Sequence, residues 1–579
     1  MKLTDAEVER WKRDLDSGDK WREAEAAEVL SQSFSTDDTD HIITACDYLW
    51  REIDRIGDFI ELTYTIPRNL APQATLTLKG DHHLVPLFRT CTQTMVGITI
   101  ETAGISEAFY VKRHREKLGP DGVWTHVLEL VGIYDILNYL VIWPSWYLPI
   151  QSQPFSHAIY AAPICTAIES MAAEQALRIQ SGMWEFVNNA LSLNPDVRAW
   201  FGTVLQGLKR DGKPSTILKT PLYVVRTGLL RDSSQVYAKT VRMQTVGQII
   251  TEITAAYGVD VRVHLWRPGD PQPDQWANLE VPTYVMTVRD RTQIEGPTKS
   301  ILDSALRLVV DVQGSLLGDT LSPLLNPDGK YAPEGLYIAP RLGINFVMPY
   351  AMIVTPDNVI TEDGDVVRER SPLLSCEIAH NTPLGWQHII GGKSPKWLND
   401  LINAFFAYVI DVAMIVIGFT GVPSNLLDGF MNDSFLAFQL IEHYTRRNSV
   451  GPYHPAIEVF TSTNSAPYNV EALFQFIQVL WNSRGYTTAI ATFRGQNGPY
   501  KLGRDIFPGA LMMLVYASRT KLYTDYIELV SGKVNRNTRE LTVQMGDGKP
   551  LEHPIAQIRR NISEGMAAIN VVSMAPNSG

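Results

Sequence analysis

Residues 56–78 carry hydrophobic and polar side chains in alternation. Ile60, Leu62 and Tyr64 alternate with Phe59, Glu61 and Thr63, which is the pattern of a strand with one buried face. Residues 68–72, with the sequence RNLAP, supply a turn, so we predict a β-hairpin there. Similar patterns predict further strands at Gly97–Glu101, Ala108–Arg113 and Trp124–Tyr134, with a hairpin turn at 119–122. These strands predict a small β-barrel or sandwich.

The first thirty residues have a different pattern, that of an acidic helix. Thr4 can cap it, and Glu7, three residues later, completes a capping box. The segment is too charged for a signal peptide, so we expect synthesis in a cytoplasm without export by that route.

In the middle of the chain, the spacing of apolar residues changes from every second residue to about every fourth. Residues 155–210 predict helices, with two apolar stripes: Ile164, Ile168, Met171 and Ala172, then Met183, Trp184, Val187 and Leu191. Strands follow at Thr216–Thr227 and Tyr237–Met243. A helix at Thr245–Tyr257 ends at Gly258 and precedes strand Val259–Trp266, which predicts a compact α+β module. Further elements are predicted as strand Tyr284–Arg289, helix Thr298–Val312, strand Ile344–Val354 and several strands in 486–550.

Residues 396–444 are strongly apolar and predict helices. Leu401–Phe419 contains a single formal charge, Asp411, and approaches the roughly 20 residues that cross a bilayer. Pro423 and Gly429 interrupt the pattern before a second helix, which gives an apolar helical hairpin. We favour a helix buried in a large core or an oligomer interface. A segment that meets a membrane only after a conformational change is the next alternative, and a permanent span comes last because a mid-helix Asp is costly in lipid.

Composition and net charge limit the classes of protein to which the chain can belong. The 579 residues suggest about four domains, and 45% hydrophobic with 20% charged residues is ordinary for a globular protein. A formal net charge of −11 argues against a general nucleic-acid binder, which needs a positive surface. The four cysteines are far apart in sequence, which predicts neither a zinc site nor a disulfide framework but buried free thiols.

The sequence offers only weak matches to catalytic or cofactor-binding motifs. The sequence contains no HExxH, GxSxG or GxGxxG. Residues 389–394, IIGGKS, resemble a phosphate loop, but Gln387 and Pro395 stand where such a loop needs glycine and an amide, so we predict a Gly-Gly turn entering a helix. We therefore predict no cofactor, no metal and no catalytic residue, although a glycosidase-type carboxylate pair stays open.

Three histidine or acidic clusters have simpler explanations. Cys376 near His380 and His388 could form a thiol–base pair, but a core cysteine on a strand is the better interpretation. Residues 81–83, DHH, are interpreted as a polar turn, and residues 363–365, DGD, as a hairpin turn that lacks the later ligands of a calcium loop.

Several stretches together resemble siphophage tail-hub proteins. The strand pair Phe59–Tyr64 and Ala74–Leu78, with the following residues 80–82, is similar to the first domain of such hubs, and the module at 245–266 and the segment 287–309 also fit. The most specific stretches, which resemble minor tail proteins of mycobacteriophages, are 391–402, 417–448, 465–474 and 521–530. The resemblance covers most of the chain from about residue 50.

The resemblance implies an α+β multidomain fold in which tube-like β-barrel or sandwich domains accompany the α+β module, the apolar helical hairpin and a C-terminal β-rich domain. The expected organisation is an N-terminal acidic helical segment (1–48), a first hub β-domain (49–150), a helical segment (151–214), a second hub β-domain with the module at about 245–285 (215–385), an apolar helical region (386–484) and the C-terminal domain and tail (485–579).

The implied function is structural rather than enzymatic. The chain would form a homotrimer at the distal tail tip of the virion, where two β-domains per chain meet a hexameric tail tube, and would act in tail assembly and DNA ejection. Expected partners are the tail tube ring, the tape-measure protein and other minor tail proteins, without sequence-specific nucleic-acid binding. The hairpin would seal the tube or meet the host membrane transiently, through Leu401, Ile402, Phe405, Phe406, Val409, Ile410, Met414, Ile417 and Phe419. A tail-associated peptidoglycan hydrolase and a host-recognition protein are the alternatives.

Overall fold

The structure is a computed structural model. It describes residues 41–290 except 103, 121, 212–221, 235, 257 and 258; residues 351–391 except 357, 361–365 and 369–372; residues 438–462 except 443; and residues 483–546 except 484, 495–501, 504, 518–520, 536 and 537. The acidic helix expected within 1–40, the helix expected at 298–312 and the apolar segment Leu401–Phe419, with all nine of its candidate residues, lie outside the described residues.

Strands dominate the described residues. In chain order they are β1 Ile42–Cys46, β2 Glu52–Arg55, β3 Phe59–Pro67, β4 Gln73–Lys79, β5 Gly97–Glu101, β6 Ser106–Leu118, β7 Trp124–Gly132, β8 Ala158–Pro163, β9 Leu222–Val224, β10 Val236–Val241, β11 Val259–Trp266, β12 Thr283–Asp290, β13 Ala351–Val354, β14 Asn358–Ile360, β15 Val366–Arg368, β16 Leu373–Asn381, β17 Gln387–Gly391, β18 Phe438–Glu442, β19 Glu458–Ser462, β20 Tyr486–Arg494, β21 Leu511–Tyr516, β22 Lys521–Asn535 and β23 Arg539–Gly546.

The described helices are fewer and mostly short. They are α1 Val85–Arg89, α2 Ile164–Gln180, α3 Glu185–Leu191, α4 Gly202–Asp211, α5 Val246–Ala256 and α6 Tyr444–Val450, with 3₁₀ turns at Thr90–Thr92, Ile133–Tyr139, Ile150–Ser152, Val197–Phe201 and Leu229–Arg231. Among the described residues, no helix is both long and apolar enough to cross a membrane.

The described residues contain a thirteen-stranded sheet in the order β16-β20-β23-β22-β3-β4-β7-β6-β5-β1-β2. Off this path, β21 pairs with β22, and β13 pairs with β21. Strands β1–β7 form what we call the N-terminal β body, and β13, β16 and β20–β23 form the C-terminal β body. Each has its own hydrophobic core. The two bodies join where β22 pairs antiparallel with β3, from Leu529 opposite Pro67 to Asn535 opposite Glu61.

This sheet changes the predicted organisation. Residues of the expected second hub domain, in β13 and β16, belong to the same body as the strands of the expected C-terminal domain. Ile42–Cys46, placed in the N-terminal helical segment by the sequence, is instead a strand that pairs with β5. Its sequence, IITAC, does not alternate between apolar and polar residues, and four of its five residues are buried, so the strand has no alternation signal in the sequence.

The predicted hairpin of β3 and β4 is confirmed. Leu62, Tyr64 and Ile66 face the core, while the polar residues between them are partly exposed, as the alternation requires. Ile60 is exposed because the pairing with β4 shifts between Phe59 and Glu61. The predicted strands at 97–101, 108–113 and 124–134 are confirmed as β5, β6 and β7.

Residues 158–290 form what we call the middle module, with two small sheets, β10-β8 and β11-β12-β9. The predicted helix at 245–257 and strand at 259–266 are confirmed as α5 and β11. The stripe Ile164, Ile168, Met171 and Ala172 packs in the core against Ile249, Ile250 and Ile253 of α5. The second predicted stripe is not core: Met183, which precedes α3, and Leu191, its last residue, are both exposed.

The predicted helical character of 386–484 is wrong in the described part. Strand β17 lies at the centre of a three-stranded sheet, antiparallel to β18 and parallel to β19, and only α6 is helical. Phe438–Glu442, with the sequence FQLIE, is only five residues long and does not alternate strictly between apolar and polar residues, so it gives no strand signal of its own.

Candidate functional site

A cavity of about 470 Å³ lies where the two β bodies and the middle module meet. Its lining includes Glu107 of β6, Arg262 and His264 of β11, and Phe507 from the loop before β21. The site therefore depends on residues that are hundreds of positions apart in the sequence.

Arg68, at the end of the β3–β4 hairpin, holds this junction together. Its buried guanidinium ion-pairs with Asp260 of the middle module, with Nε 2.8 Å from Oδ1, and with Glu528 of the C-terminal β body. Nη2 also donates to the carbonyl oxygen of Thr254, at 3.2 Å. A side chain of the N-terminal β body thus binds both other parts of the protein.

Asn69, the next residue, extends the contact with the middle module, because its side-chain amide forms hydrogen bonds with the backbone of β11. Its Nδ2 donates to the carbonyl oxygen of Val259 at 2.8 Å, and its Oδ1 accepts from the amide of Val261 at 2.7 Å. The Tyr134 hydroxyl donates to the Asn69 carbonyl oxygen at 2.9 Å. Asn69 has φ of 56°, a left-handed conformation that asparagine tolerates better than most residues, so the side chain can present both groups to β11.

Arg262 closes the opposite side of the cavity. Its guanidinium lies 5.0 Å from the centre of the Phe507 ring, and Nη2 donates to the Pro508 carbonyl oxygen at 2.8 Å. Gly509 has φ of +87°, and a Cβ there would overlap the Asp260 carboxylate. Glycine at 509 is therefore required both by the backbone and by the close approach of Asp260.

Among the acidic residues that line the cavity, Glu107 has the most strongly shifted pKa. Burial raises the pKa of Glu107 from 4.5 to about 7, and the positive charge of Arg262 opposes the shift. Burial lowers the pKa of His264, with Asp270 acting in the opposite direction. The arginines and carboxylates of the lining can bind the three parts of the chain together, and Glu107 can take up a proton near neutral pH.

The sequence-predicted residues are not gathered here. Cys376 and His380 lie on β16 in the large sheet, whereas the buried His388 lies on β17 in a different sheet. Burial raises the pKa of the Cys376 thiol, and His380 Nδ1 lies 2.9 Å from the Thr487 hydroxyl. The interpretation of Cys376 as a strand residue is confirmed, packed at the edge of the C-terminal core.

Other sequence interpretations have mixed outcomes. Residues 81–83 form the predicted polar turn, with the His82 amide donating to the Lys79 carbonyl oxygen at 3.3 Å. Gln387–Gly391 is a central strand, and the rest of the predicted Gly-Gly turn, with the helix expected after it, lies outside the described residues. Residues 363–365 lie outside the described residues, between the paired strands β14 and β15. All four cysteines are free, with Cys46 and Cys165 buried and Cys91 and Cys376 partly buried.

Sequence reasoning missed Arg68 and Asn69 as site residues. It treated them only as turn residues, and nothing in the segment RNLAP signals burial of a charge. In the part of the chain that the structure describes, a single group of side chains brings three metal-binding donors together: His114, Glu116 and His126.

Comparison with known proteins gives the family. The family model described as Siphovirus ReqiPepy6 Gp37-like protein matches residues 45–547. A search of curated proteins by sequence finds no match.

Solved structures of tail proteins are similar at low sequence identity. The tail protein from Neisseria meningitidis MC58 is 10% identical, with 87% of this chain and 96% of that chain covered and a TM-score of 0.38. The 43 kDa tail protein of prophage MuSo2 from Shewanella oneidensis is 8% identical, with coverage of 87% and 98% and a TM-score of 0.38. Prophage tail protein gp18 from Listeria monocytogenes EGD-e is 8% identical, with coverage of 90% and 98% and a TM-score of 0.34.

The resemblance to siphophage tail proteins drawn from the sequence is confirmed by the family match over most of the chain. The chain belongs to the Siphovirus ReqiPepy6 Gp37-like protein family.

Proposed function

We propose that this protein is the structural hub at the distal tip of a long non-contractile phage tail, where it closes the tail tube, supports tail assembly and opens for DNA ejection. The observation that carries the proposal is the pair of β bodies joined edge to edge by β22 and β3 in a chain of this siphovirus family. In a homotrimer, two such bodies per chain make six, which matches the symmetry of a hexameric tube.

The junction cavity supports a mechanical role. A hub must keep its β bodies in a fixed relation while it carries load, and Arg68 ties both bodies and the middle module together through buried ion pairs. Partners in this role are the tail tube ring, the tape-measure protein and other tip proteins. The role needs no catalytic residue and no cofactor.

Immunogold electron microscopy of intact virions, with antibody raised against the full chain, tests the proposal. We expect label confined to the distal tail tip. Label along the tube, or at the head-proximal end, would contradict the hub role. If denatured particles lack the chain although the antibody recognises the purified protein, the chain is not a virion component at all.

A zymogram on host cell walls tests the hydrolase alternative. The structural role predicts no clearing by the purified chain at concentrations where a lysozyme control clears the wall. Clearing would assign the protein to wall degradation during infection.

We further propose that Leu401–Phe419 seals the closed tube or meets the host membrane at ejection, because it carries one charge, Asp411, in nineteen residues. Flotation of the full chain with liposomes, before and after mild heating, tests the membrane version. Co-flotation that is lost in a Val409→Asp variant would support it, and absence of flotation in both states would exclude it.

A further inference from the structure

Two histidines and a glutamate meet on one face of the hairpin formed by β6 and β7. His114 and Glu116 are two residues apart on β6, so their side chains share a face, and His126 of β7 is the register partner of Glu116. One donor atom from each side chain lies within 4.8 Å of the other two. The group lies two register pairs from the last pair of the hairpin, Leu118 with Trp124.

The two imidazoles point nitrogen to nitrogen. His114 Nε2 lies 2.8 Å from His126 Nδ1, and the ring centroids are 5.0 Å apart. Two nitrogen ligands of a tetrahedral Zn²⁺ lie about 3.3 Å apart, so a shift of about half an ångström would admit an ion between them.

Packing restricts both rings. His126 is buried, and Phe88 of α1 lies edge-on to His114 with the ring centroids 6.5 Å apart. Glu116 is exposed, which leaves a path for an ion from solvent. Imidazole nitrogens held in place by packing, beside an accessible carboxylate, are features of a preorganised metal site with room for a water ligand.

We propose that His114, Glu116 and His126 bind one divalent transition-metal ion of the Zn²⁺ class. Two imidazole nitrogens and one carboxylate oxygen suit Zn²⁺, Co²⁺ or Ni²⁺, whereas Mg²⁺ and Ca²⁺ prefer oxygen ligands alone. The ion would cross-link β6 to β7 near the end of the hairpin.

Arg89 binds the carboxylate of Glu116 and gives the proposed metal site a specific test. This residue, the last of α1, donates from Nε to Glu116 Oε1 at 2.7 Å and from Nη2 to Oε2 at 3.1 Å. The guanidinium occupies both carboxylate oxygens and places a positive charge beside the site, so it competes with a cation. An ion that uses Glu116 must displace at least one of these hydrogen bonds, and removal of Arg89 should tighten metal binding.

Titration calorimetry of the full chain, stripped with chelator and titrated with Zn²⁺, tests the site. We expect one saturable site per chain, a visible absorption spectrum of tetrahedral type with Co²⁺, and a rise in melting temperature with Zn²⁺. His114→Gln and Glu116→Gln, both at accessible positions, should weaken Zn²⁺ binding at least tenfold. Arg89→Met should strengthen it several-fold.

The matched control is His83→Gln. His83 also pairs with a carboxylate, with Nε2 2.8 Å from Asp54 Oδ2, and the His82 ring stacks on it with the centroids 4.7 Å apart. In the part of the chain that the structure describes, these side chains do not bring three donor atoms together as His114, Glu116 and His126 do. The His83→Gln variant should bind Zn²⁺ with the affinity of the wild type. Circular dichroism in chelator checks that every variant is folded.

Three results would overturn the proposal. These are the absence of a saturable site in the folded wild type, an equal loss of affinity in His83→Gln and His114→Gln, and an unchanged affinity in Arg89→Met. The last would show that Glu116 is not a ligand.

Discussion

Arg68 is the residue on which the junction depends most. Its substitution by Met would leave Asp260 and Glu528, with side chains 13% and 14% exposed, without their shared cation. Removal of one partner of a buried ion pair typically costs about 3–5 kcal/mol because the other charge stays buried and uncompensated. We expect Arg68→Met to lower the local free energy of opening by this amount, measured by native-state amide exchange at Val261 and along β22.

The control for this experiment is an arginine in a surface pair. Arg51 also contacts an aspartate, Asp47, but its side chain is 69% exposed. Arg51→Met should change the opening free energies by less than about 1 kcal/mol. Equal effects of the two substitutions would mean that the ion pairs of Arg68 do not hold the three parts together.

Glu107 should make stability depend on pH. Because its pKa is raised from 4.5 to about 7, the folded protein keeps this proton where the unfolded chain loses it. The folded state binds more protons in that window, so the contribution of Glu107 to stability is fully present below about pH 4.5 and is lost as pH rises through about 7. Glu107→Gln should raise the melting temperature at pH 8 and flatten its fall between pH 5 and pH 7.5.

Glu129→Gln provides the comparison for Glu107. Its carboxylate lies on the neighbouring strand β7 and pairs with Arg115 at 2.6 Å. This variant should keep the wild-type slope of melting temperature against pH. If Glu107→Gln kept it too, Glu107 would titrate as an ordinary exposed acid in the folded protein.

At the scale of elements, the joint between β22 and β3 depends on one glycine. Gly532 is the register partner of Tyr64, and a Cβ at 532 would overlap the Tyr64 ring. That ring is buried, and its hydroxyl lies 3.0 Å from His41 Nε2, so it cannot move away cheaply. Overpacking of this kind typically costs about 1–3 kcal/mol. Gly532→Ala should therefore lower the melting temperature and expose the joint to limited proteolysis.

Gly57→Ala is the matched substitution. No atom lies within 4 Å of a Cβ at that position, so the added methyl group meets open space. We expect the melting temperature and the proteolytic pattern of the wild type. Cleavage between the β bodies in Gly57→Ala as well would mean that the joint is labile for reasons other than Tyr64.

The sequence predicts elements well where their signal is local. Val259–Trp266 and Gly97–Glu101 match the predicted strands residue for residue, because the alternation of side chains over two faces lies within the strand itself. Helix α5 was predicted within one residue at each end.

The pairing of β22 with β3 could not be predicted in the same way. The partners lie more than 460 positions apart, and any strand with one apolar face would satisfy the local pattern. The junction site could not be predicted for the same reason. Arg68 forms buried ion pairs only because the fold brings Asp260 and Glu528, from distant parts of the chain, next to it. Alternation identifies strands, but partner choice is set by the tertiary structure.

At the scale of the whole molecule, a shared sheet joins the two β bodies in the part of the chain that the structure describes. Backbone hydrogen bonds cross from one body to the other over seven register pairs, and Arg68 adds a second tie outside the sheet. A chain of this design cannot present its two β bodies independently. Any ring that it forms must therefore contain the bodies in adjacent pairs, so a six-membered ring of β bodies requires three chains.

Copy number in purified virions tests this consequence of the proposed hub. Absolute quantification by mass spectrometry, with isotope-labelled peptides from β11 and β22 and particles counted by electron microscopy, should give three chains per virion. Chemical cross-linking of intact tails should give a species of about 194 kDa, three times the 64.8 kDa of one chain. Six chains per virion would place twelve β bodies at the site and contradict a six-membered ring, whereas a single chain would leave a hexameric tube without a matching surface. Three copies would agree with a trimer that presents six β bodies to a hexameric tube.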